Sequence, residues 1–285
     1  MKRLDIRIRD PFIYLEDGTY YMYARCDNDM GVKVYKSRDL ENFDEPIVCF
    51  NAPADFWATR DNWAPEMHKY NGKYYIFISY KSETACRGTQ ILMADSPEGP
   101  FRIHSDGPVT PRDWECLDGT LYVDKNGTPY MIFCHEWLQV NNGEMCCVEL
   151  SKDLSKAVSE PHIMFRAGDN PLPREIRFSD KHHGMVTDGC FIYRTDSDRL
   201  IMIWASVGEN DNYLELQAIC DDGNILGNWR HDAPAIFQKD GGHGMIFKDV
   251  DGKEKLVLHS PNHDKLERAH FFDIRYNGEY LEIVK

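Results

Sequence analysis

Apolar residues along the chain fall in short runs separated by Gly, Asn and Asp, and one arrangement of these runs recurs five times. Each copy has a polar start, an apolar strand, a tight turn and a second, aromatic-rich strand. The first reads Asp10-Pro11-Phe12-Ile13-Tyr14, turns at Asp17-Gly18, and continues Tyr20-Tyr21-Met22-Tyr23. The second opens at Ala64-Pro65-Glu66 and turns at Asn71-Gly72. The third opens at Asp118-Gly119-Thr120 and turns at Asn126-Gly127. The fourth opens at Asp188-Gly189-Cys190, and the fifth at His243-Gly244-Met245 with its turn at Asp251-Gly252. Asn-Gly and Asp-Gly between apolar runs are strong hairpin signals, because both turn positions tolerate a positive φ. The starts are spaced by 54, 54, 70 and 55 residues. The long gap holds a polar, Pro-containing insertion around 167–183, which reads as a loop.

Each unit has a second half. A third strand is carried by Val32-Lys33-Val34-Tyr35, Ile91-Leu92-Met93-Ala94, Cys146-Cys147-Val148-Glu149 and Leu214-Glu215-Leu216-Gln217. Turns such as Glu98-Gly99-Pro100 and Leu226-Gly227-Asn228 then lead to an edge strand. Four antiparallel strands in a repeat of this length describe a propeller blade. The expected fold is all-β, a single five-bladed β-propeller spanning residues 1–285. A β-sandwich of similar hairpins is the alternative. Long helical periodicity is nearly absent, which removes α/β folds.

Composition narrows the partners. With 47 acidic against 33 basic residues the net charge is −14, opposite in sign to the basic footprint that nucleic acids and anionic membranes require. A neutral ligand fits better. No run approaches the length of a membrane-spanning helix. The N-terminal Met1-Lys2-Arg3-Leu4-Asp5-Ile6 lacks the apolar core of a secretory signal. The nine cysteines are odd in number and show no CxxC pair, so free thiols in a reducing cytoplasm are expected. The oligomeric state is open.

In a propeller the first strand of every blade lines the central channel and all run the same way, so their starts gather in a ring at one face. That ring holds Asp10, Ala64 with Glu66 just inside, Asp118, Asp188 and His243. Three carboxylates converging in one cleft repel one another and signal chemical use. The second strands end at the same face, adding Arg25, His135, Glu136, Trp137 and His259. Trp57, Trp63 and Trp114 precede blade starts and can reach the same mouth. Aromatic faces beside carboxylates suit a sugar, which offers C–H faces and hydroxyls. Core packing is the competing role for each Trp.

These residues resemble glycoside hydrolase family 43 over nearly the whole chain. The resemblance rests on Arg9-Asp10-Pro11-Phe12, Trp63-Ala64-Pro65-Glu66, Asp118-Gly119-Thr120-Leu121-Tyr122 and Gly242-His243-Gly244. It implies an inverting glycosidase in which Asp10 is the general base and Asp118 orients the acid and tunes its pKa. The family's acid is a Glu at the start of blade four, where this chain has Asp188. Aspartate is one methylene shorter, so Asp188, Glu136 and Glu66 all stand as candidates for the acid. Two carboxyl groups that protonate a leaving oxygen and activate water are also what glycoside hydrolysis needs on chemical grounds. Trp63, Glu66, Glu136, Trp137, Arg25 and His243 are expected to bind substrate.

No cofactor is required by this reading. The family often holds a central cation, commonly calcium, near a His of this type, so His243 is also a candidate metal-site residue. The resemblance implies a neutral oligosaccharide carrying terminal arabinofuranosyl, xylosyl or related sugars, with exo-action favoured by a compact mouth. Two rivals remain: a phosphorylase using Arg9, Arg25, Arg60, Arg87 or Arg268 to hold phosphate, and a non-catalytic sugar-binding propeller.

Overall fold

A computed structural model describes residues 1–27 and 30–284. The chain forms five small antiparallel sheets around a central tunnel, a five-bladed β-propeller. Blade one contains β1 (Phe12–Glu16), β2 (Thr19–Arg25), β3 (Gly31–Ser37) and β4 (Ile47–Asn51). Blade two contains β5 (Arg60–Tyr70), β6 (Lys73–Lys81), β7 (Gly88–Ala94) and β8 (Arg102–Ile103). Blade three contains β9 (Cys116–Val123), β10 (Pro129–His135), β11 (Glu144–Glu149) and β12 (His162–Arg166). The insertion folds into a short hairpin of β13 (Ile176–Arg177) and β14 (His183–Gly184). Blade four contains β15 (Asp188–Arg194), β16 (Leu200–Val207) and β17 (Tyr213–Cys220). Blade five contains β18 (Gly242–Lys248), β19 (Glu254–Ser260), β20 (Arg268–Tyr276) and β21 (Leu281–Ile283).

Strands follow chain order within every blade, because each connection is a short turn. Asp17-Gly18 and Asn71-Gly72 have positive φ at both positions, as the primed turns that match strand twist require. Blade four departs from the four-strand expectation. Its sheet has three strands, and the edge is reduced to single bridges from Glu215 to Phe237 and from Ile219 to Arg230. The insertion was expected to be a loop; β13 and β14 pair within it, with Ile176 opposite Gly184 and Arg177 opposite His183.

The inner strands of blades two to five share one irregularity. Trp63 pairs with Ser79 and Glu66 with Phe77, so Ala64 and Pro65 oppose a single residue. The same two-against-one count places Asp118 and Gly119 in β9, Gly189 and Cys190 in β15, and His243 and Gly244 in β18. This is a β-bulge with a left-handed first residue. The φ values are 45° at Ala64, 56° at Asp118, 41° at Gly189 and 54° at His243, and Asp10 ahead of β1 has 54°. Aligned on these residues, the repeat spacing becomes 54, 54, 71 and 54. The true counterpart of Asp10 and Asp118 in blade four is therefore Gly189. Asp188 sits one position earlier, equivalent to Arg9, Trp63 and Leu117.

The core lies between blades. Trp204 is fully buried against Phe165, at 5.3 Å between ring centroids, joining blades three and four. Ring closure uses no exchanged strand. The segment ahead of β1 lies along blade five, with the Ile8 N–H donating to the Glu267 carbonyl (3.2 Å) and Arg268 Nε to the Leu4 carbonyl (2.7 Å). Ile6 and Ile8 are buried in that seam. The nine cysteines are free thiols, and no helix among the described residues is long and apolar enough to cross a membrane.

The bulge predicts a sensitive position. A Cβ at Gly189 would lie 2.4 Å from His243 Cγ, on a left-handed backbone. Gly189→Ala is expected to destabilise the fold by about 1–3 kcal/mol through overpacking and backbone strain. Urea unfolding should show it as a lower midpoint at unchanged slope.

Candidate functional site

The bulged starts and the residues beside them line a cavity of about 640 Å³ at one mouth of the tunnel. Asp10, Trp63, Arg25, Asp118, Glu136, Trp137, Asp188 and His243 all face it. Glu66 does not. It is 5% exposed and faces His68 within the tunnel wall, 3.4 Å from its Nε2. Proline follows the bulge residue in blade two and Glu66 is already a full step down β5. Trp57 and Trp114 are also elsewhere: Trp57 donates to Gln90 (2.8 Å), and Trp114 stacks on His135 at 4.2 Å.

His243 sits among the three aspartates. Its Nδ1 is 3.1 Å from Asp10 Oδ1, 3.6 Å from Asp188 Oδ1 and 3.8 Å from Asp118 Oδ2. Below Asp10, His259 is fully buried. Its Nδ1 lies 3.2 Å from the Asp10 backbone nitrogen and 3.3 Å from Asp10 Oδ1, and its Nε2 lies 3.1 Å from Asn262 Oδ1. Burial alone would raise the Asp10 carboxyl. His243, His259 and Arg9 outweigh it and hold the group well below the usual carboxylate range. Asp10 is ionised at neutral pH.

Asp118 and Asp188 hydrogen-bond to each other and behave as one unit. Burial and then the neighbouring Asp188 charge push Asp118 far up. Burial also works against ionised Asp188, yet the hydrogen bond from Asp118, His243 and the Tyr213 hydroxyl bring it down. Tyr213 O–H donates to Asp188 Oδ2 at 2.5 Å, and the Gly189 N–H donates to Asp118 Oδ2 at 3.0 Å. Asp118 is thus the more readily protonated member of the pair. Side-chain exposure is 3% for Asp118 and 21% for Asp188, so Asp188 is the member that meets a ligand.

Glu136 is fixed differently. Arg87 ion-pairs with both Glu136 and Asp61 and lies 4.0 Å above the Trp63 ring. Burial raises the Glu136 carboxyl despite Arg87. Three arginines of the mouth are engaged with acids: Arg7 with Asp264 and Glu267, Arg9 with Asp10 and Glu267, Arg87 as above. Such pairing gives little reason to expect phosphate here.

Asp118, Asp188 and His243 place donor atoms within 4.8 Å of one another. The set fits calcium poorly. Calcium takes about 6–8 oxygens, whereas this set offers one nitrogen and two carboxyls, so water would supply most of such a shell.

Sequence reasoning missed Tyr213 and Glu215. Glu215 is fully buried beneath His243, accepts the Gly244 N–H at 3.0 Å, and is kept protonated by burial. The only signal was a polar residue inside the apolar run Leu214-Glu215-Leu216. Tyr213 reaches Asp188 through the blade rather than along the chain, and nothing local marked it.

The chain matches the model of Glycosyl hydrolases family 43 over residues 4–274. It is 38% identical to a crystal structure of endo-arabinase from Bacteroides thetaiotaomicron VPI-5482, covering 98% of both chains with a TM-score of 0.93. A crystal structure of α-L-arabinofuranosidase from Lactobacillus brevis shares the fold at 17% identity, with 100% and 98% coverage and a TM-score of 0.79. The Extracellular endo-alpha-(1->5)-L-arabinanase 1 of Bacillus subtilis (strain 168) is 26% identical over 46% of this chain and 44% of its own length. The Xylosidase/arabinosidase 43A of Humicola insolens is 23% identical over 62% and 58%. The chain thus spans about half the length of these two curated relatives.

The Tyr213 hydrogen bond gives a direct prediction. Tyr213 donates to the ionised form of Asp188, so deleting its hydroxyl makes the pair bind its proton more tightly. In Tyr213→Phe, carbon NMR of labelled aspartate carboxyls should show the pair titrating at higher pH than in the parent. An unchanged titration would remove Tyr213 from the proton balance.

Proposed function

The chain belongs to glycosyl hydrolases family 43 and is a glycosidase of O-glycosyl bonds, and from that premise we propose that it removes terminal L-arabinofuranosyl units from neutral oligosaccharides with inversion. The observation that carries this reading is the convergence of Asp10, Asp118 and Asp188 on His243 at the tunnel mouth, with Asp10 held low by its cationic neighbours and Asp118 pushed up by burial and by Asp188. Asp10 takes a proton from a water as that water's oxygen bonds to the anomeric carbon. Asp188, reprotonated from Asp118, gives its proton to the departing oxygen as the glycosidic C–O bond breaks. His243 Nδ1 contacts both carboxyls, 3.1 Å from Asp10 Oδ1 and 3.6 Å from Asp188 Oδ1. Asp188 precedes the bulge and is the more exposed of the pair, which supports a short side chain reaching the leaving oxygen. Glu136, committed to Arg87, is less free to donate.

Arabinose is favoured over xylose by the 38% identity to the endo-arabinase. Exo-action is favoured by the charged wall of Arg7, Asp264 and Glu267 along the rim where blades five and one meet. No step is routed through a metal. The free thiols support work in a reducing compartment on short oligosaccharides.

A panel of nitrophenyl glycosides, with arabinofuranose, xylose and galactofuranose first, tests the sugar. NMR of the first-formed product tests the stereochemistry, and a retained anomer would overturn the assignment of Asp10 as base. Asp10→Asn is expected to lower kcat about 10²-fold or more on every substrate while leaving the fold intact. Asp188→Asn should cripple substrates with poor leaving groups and largely spare dinitrophenyl glycosides, whose oxygen departs without a proton. Equal damage to both would instead make Asp188 a sugar-binding residue and move the acid role to Glu136.

A further inference from the structure

The side of the mouth opposite the charged wall is built unlike the rest of the rim. After β10 the chain turns into α1 (Trp137–Val140), which brings Trp137 and Leu138 to the cavity edge. The β13–β14 hairpin then folds back onto α1. Asn141 Nδ2 donates to the His183 carbonyl (3.0 Å), and the Met185 N–H donates to the Asn141 carbonyl (2.8 Å). A Cβ at Gly184 would lie 1.9 Å from the Asn141 carbonyl oxygen, so only glycine permits this approach. At the hairpin tip the Phe178 N–H donates to the His182 carbonyl (2.9 Å). Phe178 lies tilted beside Trp137 at 5.6 Å between ring centroids, yet the residue remains 78% exposed. An aromatic ring held in place by a clamped hairpin and still left to solvent has no packing role that accounts for it.

Leu138 and Phe178 also wall a second cavity of about 560 Å³, completed by Lys81, Glu115, Gln139 and His182. The two cavities meet across these two side chains. The hairpin that carries Phe178 ends at Gly184, just ahead of Asp188 in the chain, so the passage opens beside blade four.

We propose that Phe178, with Trp137 and Leu138, forms a binding platform for the leaving-group part of the substrate, the neutral sugar units that remain after the terminal one is removed. The inference rests on the glycosidase reading of the site. An aromatic ring suits the C–H face of a sugar, and the polar side chains of the second cavity suit its hydroxyls. Because the hairpin is fixed to α1, little ordering is lost when the sugar binds. The insertion that lengthens one repeat is thereby a substrate-length selector.

The test compares an arabinotriose with arabinofuranosyl fluoride, whose leaving group is a single atom. Phe178→Ala is expected to raise KM for the triose about ten-fold while kcat, and all parameters for the fluoride, stay within about two-fold. Phe178→Trp should restore the low KM. Phe178 is a surface residue, so the variant should melt with the parent. Equal losses on both substrates, or none on either, would overturn the platform. Calorimetric titration of the parent with arabinobiose, the product lacking the terminal unit, reads the platform without turnover. Binding that weakens in Phe178→Ala supports it, and binding absent from the parent or unchanged in the variant overturns it. Failure of the glycosidase reading would appear separately, as a parent protein that leaves the fluoride intact.

Discussion

One backbone device, a left-handed residue at the start of each inner strand, set in a β-bulge in blades two to five, decides where the cavity-lining carboxyls of this protein sit. A regular strand would send successive side chains alternately along the two faces of the sheet. The bulge instead turns Asp118 and His243 inward toward the tunnel axis, and Asp10 reaches the same ring from an equivalent left-handed position. Left-handed backbone at a residue other than glycine costs about 1–3 kcal/mol and persists only where surrounding structure fixes it. Four such residues in one ring require five rigid blades packed around a tunnel, and the buried seams between blades supply that rigidity. In blade four the left-handed residue is Gly189, whose missing side chain makes room for the His243 ring.

The same convergence sets the electrostatics. Three buried carboxyls so close together cannot all ionise. His243, His259 and Arg9 surround Asp10 and settle its charge, while Asp118 is the more readily protonated member of its pair with Asp188. A carboxyl held low and one pushed high therefore stand side by side in the ring. Glu215, protonated by burial under His243, adds no further negative charge to the ring.

The rim is asymmetric in a way the ring is not. Arginine–carboxylate pairs close it where blades five and one meet, and apolar and aromatic side chains open it where blades three and four meet. Family membership fixes the class of reaction. On the aromatic side the rim is built from α1 and the insertion rather than from the repeat.

The repeat was legible in the sequence because turns and strands are local. Asp-Gly and Asn-Gly pairs fix hairpins, alternating apolar residues fix faces, and five copies fix the ring, so Asp10, Asp118, Asp188 and His243 could be named before any coordinates. Register within blade four was not legible. Asp188 stood in line with Asp118 by motif, and the backbone moved the equivalence to Gly189, since a bulge is set by pairing with β16 and not by residue type. Glu66 lay two positions from a ring residue yet turned away from the mouth, for the same reason. Tyr213 and Glu215 were invisible because they reach the ring from β17 through the body of a blade, and Phe178 because its place depends on a hairpin closing onto α1. Local propensity determined the blades and their acids, while contacts between residues distant in sequence decided how the carboxyls of the ring are partnered and how each wall of the mouth is built.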